Sequence, residues 1–311
     1  MFPLTYVAGL LVLLVVVTLA LMRRAPQLPH EDFNNFLSSK PTMWMIVDTE
    51  TNARSWLDFG SRNTTEPNRG YLQVALAAAR RTQGDDYNIK PLIGREAVLA
   101  MIPNAQHDAA RLPPALWRRW AIANLCAARG GLAVDANSTL FVGPRIAPRL
   151  AGVQAAVFGI SPDEPVASPT TAYAPGPAPY VGWSAAPKHP AWTYAAAIWN
   201  KLVAAGAQAW TSAEARRTYM TVFEAQRERG IETLRDVECC RNSDGTARQL
   251  EDIFGRSSLS DTKTTLPPSA VYISYDGDEL ARRYEYAWFL RLSPEQIAKS
   301  EIAWARYAGV A

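Results

Sequence analysis

This chain of 311 residues lacks the sequence patterns by which the most common enzyme classes are recognised. It has three cysteines, Cys126 and the adjacent pair Cys239–Cys240, and three histidines that lie far apart. Such a pattern excludes a disulfide framework and the closely spaced ligands of a zinc site. A Walker loop, a GxGxxG turn, a GxSxG elbow and a CxxC pair are also missing. P-loop, dinucleotide, serine-hydrolase and thioredoxin-like chemistry therefore have no support.

The chain also lacks an excess of charge of one sign. Its 32 Lys and Arg residues face 29 Asp and Glu residues, which leaves a formal net charge of +3. A protein that gathers nucleic acid presents a strong positive field, so we expect no nucleic-acid partner. With 48% hydrophobic and 20% charged residues, the composition is that of a folded protein and excludes a disordered polyelectrolyte.

One long apolar run stands at the start of the chain. No charged residue occurs from Leu4 to Met22, and a helix of that length crosses a hydrocarbon core of about 30 Å at about 1.5 Å per residue. Arg23 and Arg24 follow the run and no basic side chain precedes it, which favours a retained anchor over a cleaved secretory signal. We therefore predict one transmembrane helix within residues 1–24, with a lipid bilayer as partner.

The same two arginines predict the orientation of the anchor. Positive residues beside a membrane span prefer the cytosolic side, so we expect a single-pass protein whose folded part faces the cytosol. The sequon Asn137-Ser-Thr agrees, because it lies inside the most informative motif of the chain, where a glycan would obstruct it.

The remainder divides by composition into four parts. Residues 25–40 are polar and read as a juxtamembrane stalk, and 41–160 alternate strand-like with helix-like stretches. Residues 161–182 form a proline-rich crossover loop, and 183–311 form a mainly helical half. Strands that alternate with helices predict an α/β fold with a mostly parallel sheet flanked by helices.

Several elements have clear boundaries in the sequence. Met43–Val47 has the continuous apolar pattern of a buried parallel strand, and Leu132–Asp135 has the same pattern over a shorter length. Pro114–Arg129 is rich in Ala and Leu and stops at two glycines, which predicts a helix. Ser293, followed by proline and then Gln296, predicts a capped helix start.

The stretch Gly130–Thr139, GGLAVDANST, carries the best candidate for chemistry. Two glycines end a helix, a short apolar strand follows, and Asp135 emerges at the carboxyl end of that strand. Ligands of open α/β sheets bind at this end, and a carboxylate there can hold a hard divalent cation that neutralises a diphosphate. The alternative is an ordinary turn in which Asp135, Asn137 and Ser138 have no ligand.

These residues carry a resemblance to a known family. The stretch from Met43 to Pro148 resembles the GT-A-fold glycosyltransferases with a DXD motif, in particular the capsular-polysaccharide-synthesis type. The matching pieces are, in order, Tyr71–Arg81, Tyr87–Ile93, Leu112-Pro113, Leu116–Arg129 and Gly130–Thr139. The later segment Val181–Pro190 is similar to the part that presents residues to the acceptor, and Lys188-His189 are its candidates.

The resemblance implies a GT-A-like fold and assigns roles to particular positions. Asp135 would bind Mn²⁺ or Mg²⁺, and Asn137 would stand at the second acid of the motif. Asp48, Glu50 and Arg54, after the first strand, would contact the nucleotide of a nucleotide-sugar donor. The implied activity is transfer of a sugar from that donor to a glycan acceptor.

The chain also departs from the family pattern. The helix before the double glycine normally carries an Asp and, one turn later, an Arg, where this chain in register has Arg119 and Ile122. Asn137 replaces the second acid. These departures open an alternative, a catalytically inactive structural protein that links a membrane to a protein shell. Its partners would be capsid or other shell proteins, as for minor capsid proteins at the virion inner membrane of large DNA viruses. A third hypothesis is a peripheral binder of phosphorylated sugars.

Overall fold

The computed structural model describes residues 40–48, 70–159, 181–206, 212–235, 249–254, 266 and 270–309. Pro41–Ala311 is one compact unit. The predicted transmembrane anchor and most of the stalk and of the proline-rich crossover lie outside the described residues. Within the described part, no helix has the length and apolarity needed to cross a bilayer.

Eight strands are present in the described ranges. In chain order they are β1 Thr42–Val47, β2 Asn88–Ile93, β3 Gly131–Asp135, β4 Thr139–Phe141, β5 Ala155–Gly159, β6 Val181–Ser184, β7 Glu232–Arg235 and β8 Tyr272–Ser274.

Ten α-helices surround them in the same ranges. They are α1 Gly70–Gln83, α2 Arg95–Met101, α3 Pro114–Arg129, α4 Ala147–Leu150, α5 Pro190–Ala204, α6 Ser212–Arg227, α7 Leu250–Phe254, α8 Gly277–Arg282, α9 Pro294–Ala298 and α10 Ala303–Tyr307.

The strands form one large and one small sheet. The large sheet has six strands in the order β2-β1-β3-β6-β5-β7, and the small sheet pairs β4 with β8 antiparallel. Only β6 runs against its neighbours in the large sheet. The predicted α/β fold with a mostly parallel sheet and flanking helices is therefore confirmed, and strands on both sides of the crossover complete one sheet.

The sheet is covered on both faces, as continuous apolar strands require. Along β1 the side chains alternate between two cores: Met43, Met45 and Val47 face one, and Trp44 and Ile46 face the other. The first core packs against α1 and the C-terminal helices, and the second against α3, α5 and α6. This sandwich holds the carboxyl end of β3 in a fixed position at the centre of the sheet.

The double glycine before β3 has a packing role. Gly130 and Gly131 have φ values of 66° and 85°, which side chains rarely adopt. A Cβ on Gly131 would overlap the carbonyl oxygen of Thr42, and Trp44 Nε1 donates to the carbonyl oxygen of Gly130 at 2.8 Å. The glycines therefore let the end of α3 turn tightly against β1, with no ligand required.

Two further predictions are confirmed. The helix Pro114–Arg129 has its predicted bounds. At the start of α9, the Ser293 side chain accepts from the Gln296 amide while the Gln296 side chain accepts from the Ser293 amide, which is the predicted capping box. Strand β4, Thr139–Phe141, pairs with β8 outside the main sheet.

Candidate functional site

Asp135 is the last residue of β3 and lies at the carboxyl edge of the sheet, where the sequence places it. Its side chain is 0% exposed. Oδ1 accepts a hydrogen bond from the amide of Asn137 at 3.1 Å. Oδ2 lies 3.2 Å from Nε of Arg118 and accepts no hydrogen bond from the described residues. The contact between Asp135 and Arg118 is thus mainly an ion pair between buried groups.

Arg118 joins three elements at this point. It projects from the second turn of α3 and is 3% exposed. Its two terminal nitrogens donate to both carboxylate oxygens of Asp278 in α8, at 2.8 and 2.6 Å. Such a bidentate arrangement is a strong form of ion pair. The guanidinium therefore lies between the carboxylates of Asp135 and Asp278.

The side chain of Asn137 hydrogen-bonds to the backbone of another strand end. Its Oδ1 accepts from the backbone amide of Asp48 at 2.8 Å, and its Nδ2 donates to the backbone carbonyl of Asp48 at 2.7 Å. The side chain is 1% exposed, so it ties the end of β1 to the loop after β3. Burial also makes the Asn137 sequon inaccessible to glycosylation in the folded domain.

Asp48 is buried and paired. Its carboxylate accepts from Nη2 of Arg95 at 3.0 Å and from Nε at 3.4 Å. Arg95 also donates to the carbonyls of Ala110 and Leu112 at 2.7 and 2.6 Å, and its guanidinium lies over the ring of Trp117. Asp48 therefore fixes the segment before α3 to the sheet. The resemblance had instead assigned Asp48 a contact with the nucleotide.

The start of α8 covers the loop after β3. A Cβ on Gly277 would overlap the carbonyl oxygen of Asn137, and the Gly277 amide donates to Oγ of Ser138 at 3.3 Å. The amide of Tyr275 donates to the carbonyl of Ser138 at 3.0 Å. Among the described residues, the motif is thus packed beneath backbone and does not face an open cleft.

The remaining candidates are separated from this cluster. Glu50 and Arg54 lie outside the described residues. Lys188 and His189 follow β6, whose last residue Ser184 pairs with Gly131. They are therefore at the amino edge of the sheet, the opposite end from Asp135. The structure brings together Asp135, Asn137 and Asp48, and places the acceptor candidates elsewhere.

Burial dominates the electrostatics of the cluster. It raises the pKa of Asp135 from 3.8 to about 6, against the opposing effects of Arg118 and of the Ser138 hydrogen bond, while Asp278 adds to the rise. The pKa values of Tyr71 and Tyr275 are also raised well above their usual value, mainly by burial. The surroundings of Asp135 therefore disfavour its charged form, mainly because the carboxylate is buried.

This pKa predicts a pH-dependent stability. Since the pKa of Asp135 is about 6 in the folded protein and 3.8 when unperturbed, the folded state binds more protons between those values. The resulting stabilisation is present at low pH and is lost as the pH rises through about 6. We expect wild type to lose about 1–3 kcal/mol relative to Asp135→Asn between pH 4 and 7.

The measurement is urea unfolding of both proteins at several pH values, followed by tryptophan fluorescence. A pH-independent effect of the asparagine on stability does not affect the result, because the test uses only how the difference in unfolding free energy changes with pH. Asp85→Asn, at an exposed aspartate, is the matched control for the substitution itself. A flat difference for Asp135→Asn as well would contradict the assigned environment.

Replacing Asn137 with aspartate, the second acid of the family motif, should destabilise the domain. In Asn137→Asp, the atom that donates to the Asp48 carbonyl becomes an acceptor, which turns a 2.7 Å hydrogen bond into a repulsion. We expect a loss of about 1–3 kcal/mol of unfolding free energy at pH 7, measured by urea unfolding. Asn104→Asp, in an exposed turn, should change stability by less than about 0.5 kcal/mol. Equal stability of the two variants would contradict the structural role of Asn137.

Sequence reasoning missed Arg118, Arg95 and Asp278. It singled out Arg119, in register with the family's Asp, but the guanidinium of Arg119 lies over the ring of Tyr219 at 4.6 Å. A signal for Arg118 did exist: it shares the buried face of α3 with Ile122 and Leu125, at helical spacings of four and seven. A charged residue on an apolar face indicates a buried partner. No local signal identified Asp278 as that partner.

Comparison with known proteins identifies no relative: no family model, curated protein or solved structure matches this chain.

Proposed function

We propose that this chain is a membrane-anchored structural protein whose domain has a GT-A-like arrangement without glycosyl transfer. The position of Arg118 carries the proposal, because its guanidinium lies 3.2 Å from the carboxylate that the resemblance assigns to the metal. An arginine side chain stays positively charged in proteins. It supplies a permanent cation where the enzyme hypothesis needs Mn²⁺ or Mg²⁺.

The donor set does not fit a divalent cation. Hard cations require several oxygen ligands at about 2.0–2.6 Å, yet Asp135 and Asp278 both face the guanidinium of Arg118. Asn137, the second ligand of the motif, has both side-chain polar atoms bound to the backbone of Asp48. Admitting a metal would require displacing Arg118 and breaking its bidentate pair. The proposal therefore includes no metal and no catalytic step.

Two features of the chain, a predicted anchor and a folded domain, support a structural role. The apolar run before Arg23 supplies the predicted membrane anchor. The described residues of Pro41–Ala311 offer a folded surface on the same chain, with a sheet that is covered on both faces. Old enzyme folds support functions other than their first. A protein of this kind would tie a bilayer to an adjoining protein layer, with shell proteins as its partners.

The proposal is tested by offering the full chain its hypothetical substrates. A panel of UDP- and GDP-sugars with Mn²⁺ should release no nucleotide above the background of buffer. Asp135→Ala should give the same result. Release of nucleotide by wild type that Asp135→Ala abolishes would overturn the proposal in favour of the transferase. Calorimetric binding of a nucleotide sugar without turnover would favour the third hypothesis, a peripheral binder.

A further inference from the structure

The amino edge of the sheet concentrates positive charge that the whole-chain count conceals. Helices α1 and α3 both end at this edge, since each leads into the strand that follows it. Five exposed cations define what we term the basic edge: Arg80, Arg81, Arg129, Arg145 and Lys188.

Few carboxylates oppose these cations. At this edge the turn before β2 contributes Asp85 and Asp86, and Asp86 is paired with Arg145 at 3.3 Å. Farther along, beside β7, Glu228 and Glu232 accompany Arg229, so the charge there is mixed. The part of the edge beneath β2, β1, β3 and β6 therefore has an excess of positive charge among the described residues.

Helix termini explain only part of this pattern. Arginines in the last turns of α1 and α3 suit the negative end of the helix dipole. Arg145 and Lys188 lie in loops, so the helix dipole does not explain their positions. Lys188 is the last residue of the exposed loop 185–188. The backbone amide of Lys188 donates a hydrogen bond to the Ala127 carbonyl at 2.8 Å, which fixes the loop to the end of α3. The basic edge is thus formed by two helix ends together with loops, one of which is hydrogen-bonded to the end of α3.

The chain path indicates which partner this surface fits. Pro41, the first residue of the compact unit, accepts a hydrogen bond from the amide of Asn88 at the start of β2. The chain therefore reaches the domain at the basic edge. The predicted anchor ends at Arg24, and residues 25–40 link it to Pro41 in the sequence. Basic surfaces beside a membrane span are attracted to anionic headgroups over a distance of about one Debye length.

We propose that the basic edge lies against the headgroups of an anionic lipid bilayer. This inference rests on the anchor included in the proposed function. With the basic edge at the lipid, the carboxyl edge of the sheet and the start of α8 face away from the membrane, toward a protein partner.

The experiment uses the full chain in nanodiscs, either neutral or with roughly 30% anionic phospholipid, analysed by hydrogen–deuterium exchange. We expect amides of 127–131 and 184–190 to exchange at least about threefold more slowly in the anionic nanodiscs. The protection should disappear at about 0.5 M NaCl, because salt screens exposed charges. Peptides from the start of α8 should be unchanged.

Charge-reversal variants make the test specific. Arg80→Glu with Lys188→Glu should lose the protection while keeping the melting temperature of wild type within a few degrees. The matched control is Arg111→Glu with Arg291→Glu, two exposed arginines at the opposite edge, and it should keep the protection.

Two outcomes would overturn the inference. Equal exchange in neutral and anionic nanodiscs would show that no anionic lipid is bound. Stronger protection by a soluble polyanion such as heparin, added to neutral nanodiscs, would make the basic edge a site for an acidic macromolecule instead. Failure of the chain to enter nanodiscs at all would count against the anchor, and so against the proposed function itself.

Discussion

Arg118→Met should destabilise the domain by about 3–5 kcal/mol, because it leaves the carboxylates of Asp135 and Asp278 buried or partly buried without their shared cation. Methionine keeps much of the volume of the arginine, so loss of the charge is the main change. Urea unfolding at pH 7, followed by tryptophan fluorescence, measures the effect. In a domain of ordinary stability this loss is a large share of the total free energy of unfolding.

The neighbouring exposed arginine provides the control. The side chain of Arg111 is 79% exposed and pairs with Asp108 on the surface, so Arg111→Met should cost less than about 0.5 kcal/mol. Adding Asp278→Asn to Arg118→Met should cost less than the sum of the two single changes, because both act on one ion pair. Strict additivity, or an effect of Arg118→Met no larger than that of Arg111→Met, would contradict the buried cluster.

The second large effect is expected at Asp48. Asp48→Ala leaves the guanidinium of Arg95 buried without its counter-charge, which costs about 3–5 kcal/mol. The resemblance predicts the opposite behaviour: a nucleotide contact would lose affinity and leave stability almost unchanged. Urea unfolding of the single variant therefore distinguishes a structural aspartate from a ligand-binding one.

Two further variants define the origin of that loss. Asp48→Leu combined with Arg95→Met removes both charges and should recover a large part of the stability, as apolar replacements of buried pairs often do. Asp108→Ala removes an aspartate whose side chain is 69% exposed and should have a small effect. No recovery in the double variant would indicate that packing, rather than charge, explains the role of Asp48.

The elements that position the site could be predicted from sequence because their signals are local. The apolar run Met43–Val47, the helix that stops at Gly130 and the capping sequence at Ser293 each specify their structure within a few residues. Their arrangement into a mostly parallel sheet follows from the alternation of strands and helices. The position of Asp135 at the end of β3 was predicted for the same reason.

The partners of the site residues could not be predicted, because they come from distant parts of the chain. Arg118 meets Asp278 across 160 positions, and Asp48 meets Asn137 across 89. The register of α3 decides whether Arg118 or Arg119 reaches Asp135, and a shift of one residue turns a helical side chain by about 100°. Only the packed structure shows that the motif is tied into the fold.

The charge distribution was likewise hidden from composition. A net charge of +3 suggested a nearly neutral surface, but the fold gathers the ends of α1 and α3 at one edge and separates cations from carboxylates. Arg145 and Lys188 reach the same edge from unrelated loops. A whole-chain sum therefore gave no information about where a charged partner could bind.

Mn²⁺ binding to the full chain tests whether Arg118 occupies the position of the metal. Electron paramagnetic resonance of free Mn²⁺, titrated with wild type and with Asp135→Ala at pH 7, measures the bound fraction. We expect that neither protein lowers the free Mn²⁺ signal through this site, so the two titrations coincide. Binding by wild type that Asp135→Ala abolishes would contradict it and return the site to the enzyme hypothesis.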